Sequence, residues 1–488
     1  MSVLRTARAS ARAPRWLILA LLCWSSLIVA VPAANGQDGS EAARLELTTT
    51  SEAARQHFWA GMIDALNVFP SRAAMHFEMA LEADPNLALA KVLHAFTAPG
   101  LSDAEQEARM AEGIAALSTT STNELMVGLA FKAWASDDAP AASRLFESAS
   151  EIMPGDPYLA SLSTQLAPAR GDETDAIARW EAVAEAFPEL ANAHNTIAYQ
   201  EYGRRDEAAA MASVKRYVEL APDHPNAADS HAEMLQFMRR YPEAMAEYER
   251  TAQLDPSFAE AYMGAAEVLV LVQELEGATE YIALGIEHAP SPGARSTAMR
   301  AMANVRMLMG ARDGAMGHLQ EAASVAEAAG LDGPRALAHE QMALTDAVLG
   351  DGRFIPEYLE EAVGIRGDAI PLHLAIGGLA YAASGQSEMA REASGRLAKS
   401  SDGQFWKDLA GSIDAMVALG EGRAQAALDA LEGTDPSNPV VQAVMADAYE
   451  RLERPMAAAA LRERVTSNPQ INLANPFWAF AVGHVRRS

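Results

Sequence analysis

Residues 191–224 read ANAHNTIAYQEYGRRDEAAAMASVKRYVELAPDH, and residues 225–258 read PNAADSHAEMLQFMRRYPEAMAEYERTAQLDPSF. Laid one above the other, the two 34-residue stretches agree in residue type at fixed positions. Each has an alanine twelve residues before a proline and a bulky apolar residue eight before it: Ala210, Val214 and Pro222, then Ala244, Tyr248 and Pro256. The same trio stands at Ala142, Phe146 and Pro154, at Ala176, Trp180 and Pro188, and at Ala278, Ile282 and Pro290. Proline is only 24 of 488 residues, so five at one spacing arise by chance in under about 1% of cases once all starts and periods are allowed. A fixed period of this length marks a repeat array.

The pattern resembles the tetratricopeptide repeat, whose 34-residue unit carries W-x2-L-G-x2-Y, then A-x3-F, then P. Each matched position has a physical task. A small residue at position eight lets the two helices of a unit approach, and Ala130, Thr164, Ala198, Ala232 and Ala266 stand there. The alanine twelve before the proline serves the same crossing from the second helix, and the bulky residue after it is a core knob. Proline closes the unit because it cannot continue the helix. Asp84-Pro85-Asn86 and Asp255-Pro256-Ser257 suit the start of the next one. The first helix departs from the family: its Trp and Tyr positions are mostly small residues, and the Leu-Gly pair is not kept.

The pattern reaches beyond the regular stretch at about 123–290. Gly61, Ala73, Phe77, Ala80 and Pro85 fit a unit over about 54–87, whereas 88–122 is helical but off register. Ala315 with Leu319, Ala390, Ala427 and Ala457 mark further pairs at shifted spacing. The resemblance implies an all-α fold, a tetratricopeptide-type α-solenoid forming a right-handed superhelix of about twelve helix–turn–helix units. The expected organisation is a signal peptide over 1–34, a flexible leader over 35–50, an N-terminal array over 51–295, a degenerate C-terminal array over 296–467, and an aromatic tail over 468–488. The tail, with Phe477, Trp478 and Phe480, reads as a cap over the last unit's apolar face, or as a docking segment.

The start of the chain reads as an address. Arg5, Arg8, Arg12 and Arg15 precede an apolar run from Trp16 to Val31, and small residues follow to Ala34. That order is a secretory signal, so the expected location is periplasmic or secreted. The alternative is an uncleaved inner-membrane anchor over 16–34, although Trp24, Ser25 and Ser26 make it a poor span. Membrane contact is expected only through this segment. Cys23 is the single cysteine, which excludes disulfides, Cys-ligated zinc, iron–sulfur clusters and c-type haem.

The 65 acidic against 38 basic residues give a net charge of −27, which excludes a nucleic-acid binder, because phosphate neutralisation needs a clustered basic surface. Catalytic motifs fail one by one. No lysine follows glycine, so there is no Walker A loop, and no G-x-S-x-G elbow occurs. His339-Glu340 begins like a zincin helix, but Ala343 stands where the second ligand belongs. The Asp223, His224, Asp229, His231 and Glu233 cluster has metal-ligand residue types, yet packed or surface histidines explain it better. No catalytic residue, metal or other cofactor is expected, and the chain reads as a non-enzyme.

The resemblance leaves the groove. In this family positions two, five, nine and twelve of each first helix face the concave side. Carried over, these are Asn192, Asn195, Tyr199 and Tyr202 in the unit at 191, then Asn226, Asp229, Glu233 and Gln236 in the unit at 225. The unit at 259 adds Glu260, Met263 and Glu267. Asn amides can pair both groups of an extended backbone, Tyr adds contact area with a polar tip, and carboxylates favour a cationic ligand. The expected function is an exported scaffold that binds an extended, basic protein segment. The alternative is an accessory protein or receptor for a small molecule or glycan.

Overall fold

Where the sequence places its proline punctuation, helices stop. The computed structural model describes residues 43–67, 69–99, 101–171, 175–367, 370–400 and 403–486. Among these residues lie 25 α-helices, one short 3-10 turn at Ala167–Arg170 and no strand. The first eleven are α1 (Glu52–Leu66), α2 (Pro70–Ala83), α3 (Ala88–Thr97), α4 (Asp103–Leu117), α5 (Thr122–Ala135), α6 (Ala139–Ile152), α7 (Pro157–Gln165), α8 (Ala176–Ala186), α9 (Ala191–Gly203), α10 (Glu207–Leu220) and α11 (Pro225–Phe237). The next seven are α12 (Tyr241–Leu254), α13 (Ala259–Leu271), α14 (Leu275–Glu287), α15 (Pro292–Leu308), α16 (Arg312–Ala328), α17 (Asp332–Leu349) and α18 (Ile355–Arg366). The last seven are α19 (Pro371–Ala383), α20 (Ser387–Ser400), α21 (Gln404–Gly420), α22 (Ala424–Ala430), α23 (Pro439–Arg451), α24 (Pro455–Thr466) and α25 (Pro476–Val485). In chain order they make twelve helix–turn–helix segments and one final helix. The signal or anchor expected over 1–34 lies outside the described residues.

The repeat positions do what their chemistry requires. Phe146, Val214, Tyr248 and Ile282 are fully buried, as are Ala142, Ala210, Ala244 and Ala278. Each such knob stabilises its unit by about 1.5–3 kcal/mol through removal of apolar surface from water. Gly61 shows why a small residue is needed at the crossing. A Cβ there would lie 2.7 Å from the ring of Phe77.

A second periodicity is invisible in residue type. Asp137, Gly171, Arg205, Arg239 and Gln273 all have positive φ, between 60° and 81°, and stand 34 residues apart. Each is the left-handed residue that reverses the chain from the first helix of a pair to the second. Four others, Gly310, Gly385, Gly422 and Glu453, play the same part further on. Gly310 comes 37 residues after Gln273 rather than 34, because α15 is a 17-residue helix where α13 has 13. That lengthening puts the later repeats out of register with the prolines.

By packing, the chain divides into two compact units at 238–256. Of the described residues, one holds those from 43 to 238 with 253–255, and the other holds 239–252 with those from 256 to 486. The N-terminal unit ties its own ends together. Residues 43–49, expected in a flexible leader, are held instead: Leu45 and Leu47 are buried, and the Leu45 N–H donates to Asp156 at 3.1 Å. The Thr48 N–H donates to the fully buried Glu124 at 3.0 Å.

In the C-terminal unit the tail does more than cover the last pair. Asn475 caps α25, and α25 packs on α23 and α24 but also on α15 and α17. Phe477, Trp478, Phe480, Val482 and Val485 are all buried there, in one core with residues of α15 to α23.

Candidate functional site

On α9 and α11 of the N-terminal unit, five of the eight expected groove residues are buried: Asn192, Asn195, Asn226, Asp229 and Gln236. Tyr199, Tyr202 and Glu233 are half-buried. The face formed by the first helices is therefore not a row of solvated side chains. Successive first helices read one another at equal repeat positions. Tyr199 and Glu233, both at position nine and 34 residues apart, are joined by a hydrogen bond from the phenol to the carboxylate. The Tyr202 hydroxyl donates to the Phe237 carbonyl at 3.2 Å, and the two rings lie 5.1 Å apart. The Asn192 amide donates to Ser161 on α7 at 2.7 Å, and the Asn226 amide donates to Tyr217 on α10 at 3.1 Å.

Burial, reinforced by the neighbouring Glu233 carboxylate, pushes the Tyr199 phenol well above its ordinary pKa. Burial likewise raises the Glu233 carboxyl, against the hydrogen bond from Tyr199. Glu233 is thus a hydrogen-bonded partner of tyrosine rather than a free surface charge. The Oδ1 atoms of Asn192 and Asn195 are buried without a hydrogen-bond partner among the described residues. Orphaned acceptors of this kind cost about 1–3 kcal/mol each.

The three remaining expected residues, Glu260, Met263 and Glu267, sit on α13 in the C-terminal unit. Glu260 is exposed, and Met263 packs at the margin of the core. Glu267 is engaged by the chain itself: it accepts the Leu473 N–H at 3.1 Å. Other groups that sequence reasoning missed hold the same segment. The Asn304 amide donates to the Leu473 carbonyl at 2.8 Å, and Arg300 donates to the Ala474 carbonyl at 3.3 Å and to Gln341 at 3.0 Å. Nε2 of His484 lies 2.7 Å from Asp447, and Arg486 donates to Gln273 at 2.7 Å. Burial pulls the Arg300 guanidinium down to about 10, with Glu340 opposing.

The missed residues follow a rule once the left-handed turn, not the proline, sets the count. Gln273 is position fifteen of the unit beginning at Ala259. Counting back equally from Gly310 and Glu453 places Asn304 and Asp447 at position nine and Arg300 at position five. Glu267, Asn304 and Asp447 are therefore the counterparts of Tyr199 and Glu233.

Buried ionic groups elsewhere serve as ties. Asp64 on α1 accepts from Arg72 at 2.6 Å and lies 3.1 Å from Nε2 of His224, a residue that also caps α11. Burial works to raise the Asp64 carboxyl, but the hydrogen bonds from His224 and Arg72 outweigh it and hold the pKa below the usual range. Fully buried Glu340 pairs with Arg366 and with His373, and fully buried Asp346 pairs with Arg312. In the Asp223–Glu233 cluster, His224 is taken by Asp64 and Glu233 by Tyr199. Among the described residues no three metal-ligating side chains converge. A cleft of about 500 Å3 beside α17 and α18 is walled by Asp332, Arg335, Glu360 and Glu361.

Helix pairs repeating every 34 residues, with a small residue at each crossing, decide the architecture. The fold is an α-solenoid of tetratricopeptide type. No protein-family model and no curated protein sequence matches the chain. Among solved structures it is similar to MamA, at 18% identity over 33% of this chain and 94% of that one, with a TM-score of 0.28. A thermophilic TPR protein of Thermus thermophilus matches at 17% identity over 35% of this chain and 92% of its own, TM-score 0.31. A tetratricopeptide repeat protein from Parabacteroides merdae matches at 11% identity over 59% and 97%, TM-score 0.37. Solenoids of this kind present long surfaces to protein partners. Among the described residues no helix is long and apolar enough to cross a membrane.

Proposed function

We propose that this chain is a non-enzymatic, exported scaffold that holds an extended, net basic protein segment against α9 and α11 of its N-terminal unit. The observation that carries the reading is the pair of buried, unpartnered Oδ1 atoms on Asn192 and Asn195. As these atoms lie beneath the surface, a polypeptide backbone supplies the N–H donors they lack once the two amide side chains rotate outward, at a spacing close to one helical turn on the scaffold. Tyr199 and Tyr202 beside them offer apolar area with a polar tip. The overall charge of −27 and the buried Asp229 favour a cationic ligand and speed its capture more than they tighten the final complex. Export rests on the basic, then apolar, then small-residue order of residues 5–34.

The test is capture of partners from an envelope extract, followed by titration of each recovered segment against Asn195→Leu and Tyr199→Phe chains. Asn195→Leu is expected to leave helicity intact and to weaken binding about tenfold, the worth of one buried hydrogen bond to a backbone group. Every recovered segment binding Asn195→Leu like the parent chain sinks the reading.

A further inference from the structure

The C-terminal unit contains a segment that is held as a peptide is held. Residues 467–470 leave α24 without regular structure. A turn at Asn472–Asn475 follows, and then α25 runs to Val485. From Ile471 onward the segment turns apolar side chains into the core and its backbone to side chains of the first helices. Both groups of Leu473 are taken, its N–H by Glu267 and its carbonyl by Asn304. These grips come from position nine of successive units, with position five adding Arg300 and position nine again adding Asp447 against His484. The grip thus comes from one recurring register of the first helices rather than from scattered contacts.

The charges also match. Residues 464–488 contain no Asp or Glu and include Arg486 and Arg487, while Glu267 and Asp447 stand on the receiving face. A short connection gives the attached tail an effective concentration in the mM range, so a free segment of ordinary affinity does not displace it.

We propose that the first-helix face of the C-terminal unit is a second segment-binding groove, closed in cis by residues 471–486. Its partner in trans is a protein segment of the tail's own chemistry: free of acidic side chains, turned once, then an aromatic-bearing helix of about three turns with a cationic end. The proposal does not rest on the N-terminal groove, and its failure leaves that reading standing.

The test uses the full chain with a protease site in place of Asn468-Pro469-Gln470. The chain is folded, then nicked, and its helicity is checked by circular dichroism. A fluorescent synthetic peptide of residues 468–488 is the probe. The intact chain is expected to ignore it, whereas the nicked chain takes it up and releases its own tail. In the nicked chain, Glu267→Ala with Asn304→Ala should lower uptake about tenfold or more, since the acceptor of the Leu473 N–H and the donor to its carbonyl are both removed. Slowed exchange of the Leu473 amide in the intact parent, lost in that double variant, reports the same grip without nicking. Equal uptake by intact and nicked chains, no exchange after nicking, or undiminished uptake by the double variant each overturns the proposal.

Discussion

The two units apply one design to opposite ends. In the N-terminal unit, positions five and nine of the first helices hold Asn195, Tyr199, Asp229 and Glu233, and the amide oxygens of Asn192 and Asn195 have no hydrogen-bond partner among the described residues. In the C-terminal unit the same positions hold Arg300, Glu267, Asn304 and Asp447, and their hydrogen bonds are spent on the tail. Register alone therefore does not tell whether a solenoid face is available. What decides it is whether the chain supplies an occupant at those positions: the tail does so in the C-terminal unit, whereas residues 43–49 of the N-terminal unit are held by Glu124 and Asp156 rather than by α9 and α11.

The contrast can be broken most forcefully at the tail. Phe480→Ala removes a fully buried ring from the C-terminal core and should cost about 3–5 kcal/mol. Hydrogen exchange should accelerate across 439–451 and stay unchanged across 191–203. Equal loss of protection in both stretches would contradict the division at 238–256. Next comes Glu340→Ala, which leaves Arg366 unpaired and His373 without its acceptor in the same unit. Breaking a buried pair from one side costs about 3–5 kcal/mol, and with Glu340 fully buried and the Arg366 side chain only 14% exposed the loss should fall within that range, as denaturant titration would show.

The N-terminal counterpart is acid-sensitive. Because the Asp64 carboxyl sits below its usual pKa in the folded chain, its contribution is complete above the ordinary carboxylate range. It is lost as pH falls through the lowered folded value. Asp64→Asn should cost about 1–3 kcal/mol near neutrality and flatten that acid limb of the stability profile. An unchanged limb would show that another carboxylate governs it. The smallest effect sharpens the comparison of turns. Arg205 is left-handed at φ 64°, so Arg205→Gly should stabilise by about 0.5–1 kcal/mol, the steric relief outweighing the added chain entropy. Gly385→Ala, at φ 77°, should destabilise by about 1–2 kcal/mol, and thermal melts of the pair resolve the opposite signs.

The repeat was legible because its positions are steric. Alanine at a crossing, a bulky knob and a terminating proline each have few substitutes, and Phe146, Tyr248 and Ile282 are buried as that logic requires. The left-handed turn was not legible, since Asp137, Arg205, Arg239 and Gln273 carry no glycine to announce it. Without it the three-residue lengthening before Gly310 went unnoticed, and Arg300, Asn304 and Asp447 could not be placed on the first-helix face. Glycines at 310, 385 and 422 were the available signal. The expected groove was found in position but not in state, because periodicity tells which way a residue points and not what arrives there. Glu233 illustrates this, with Tyr199 reaching it from the preceding unit.

An array in which each repeat touches only its neighbours can fold from any point and fray from either end. Here Asp64 meets His224 across 160 residues of sequence, and Asn304 meets Leu473 across 169. Those contacts raise the contact order of each unit well above that of an open stack, which slows folding and makes each unit melt as a block. During synthesis, α1 waits for the turn before α11, and the core around α15 and α17 waits for residues 473–485. Until then its apolar face is uncovered, and the nascent chain has most need of a chaperone in that interval.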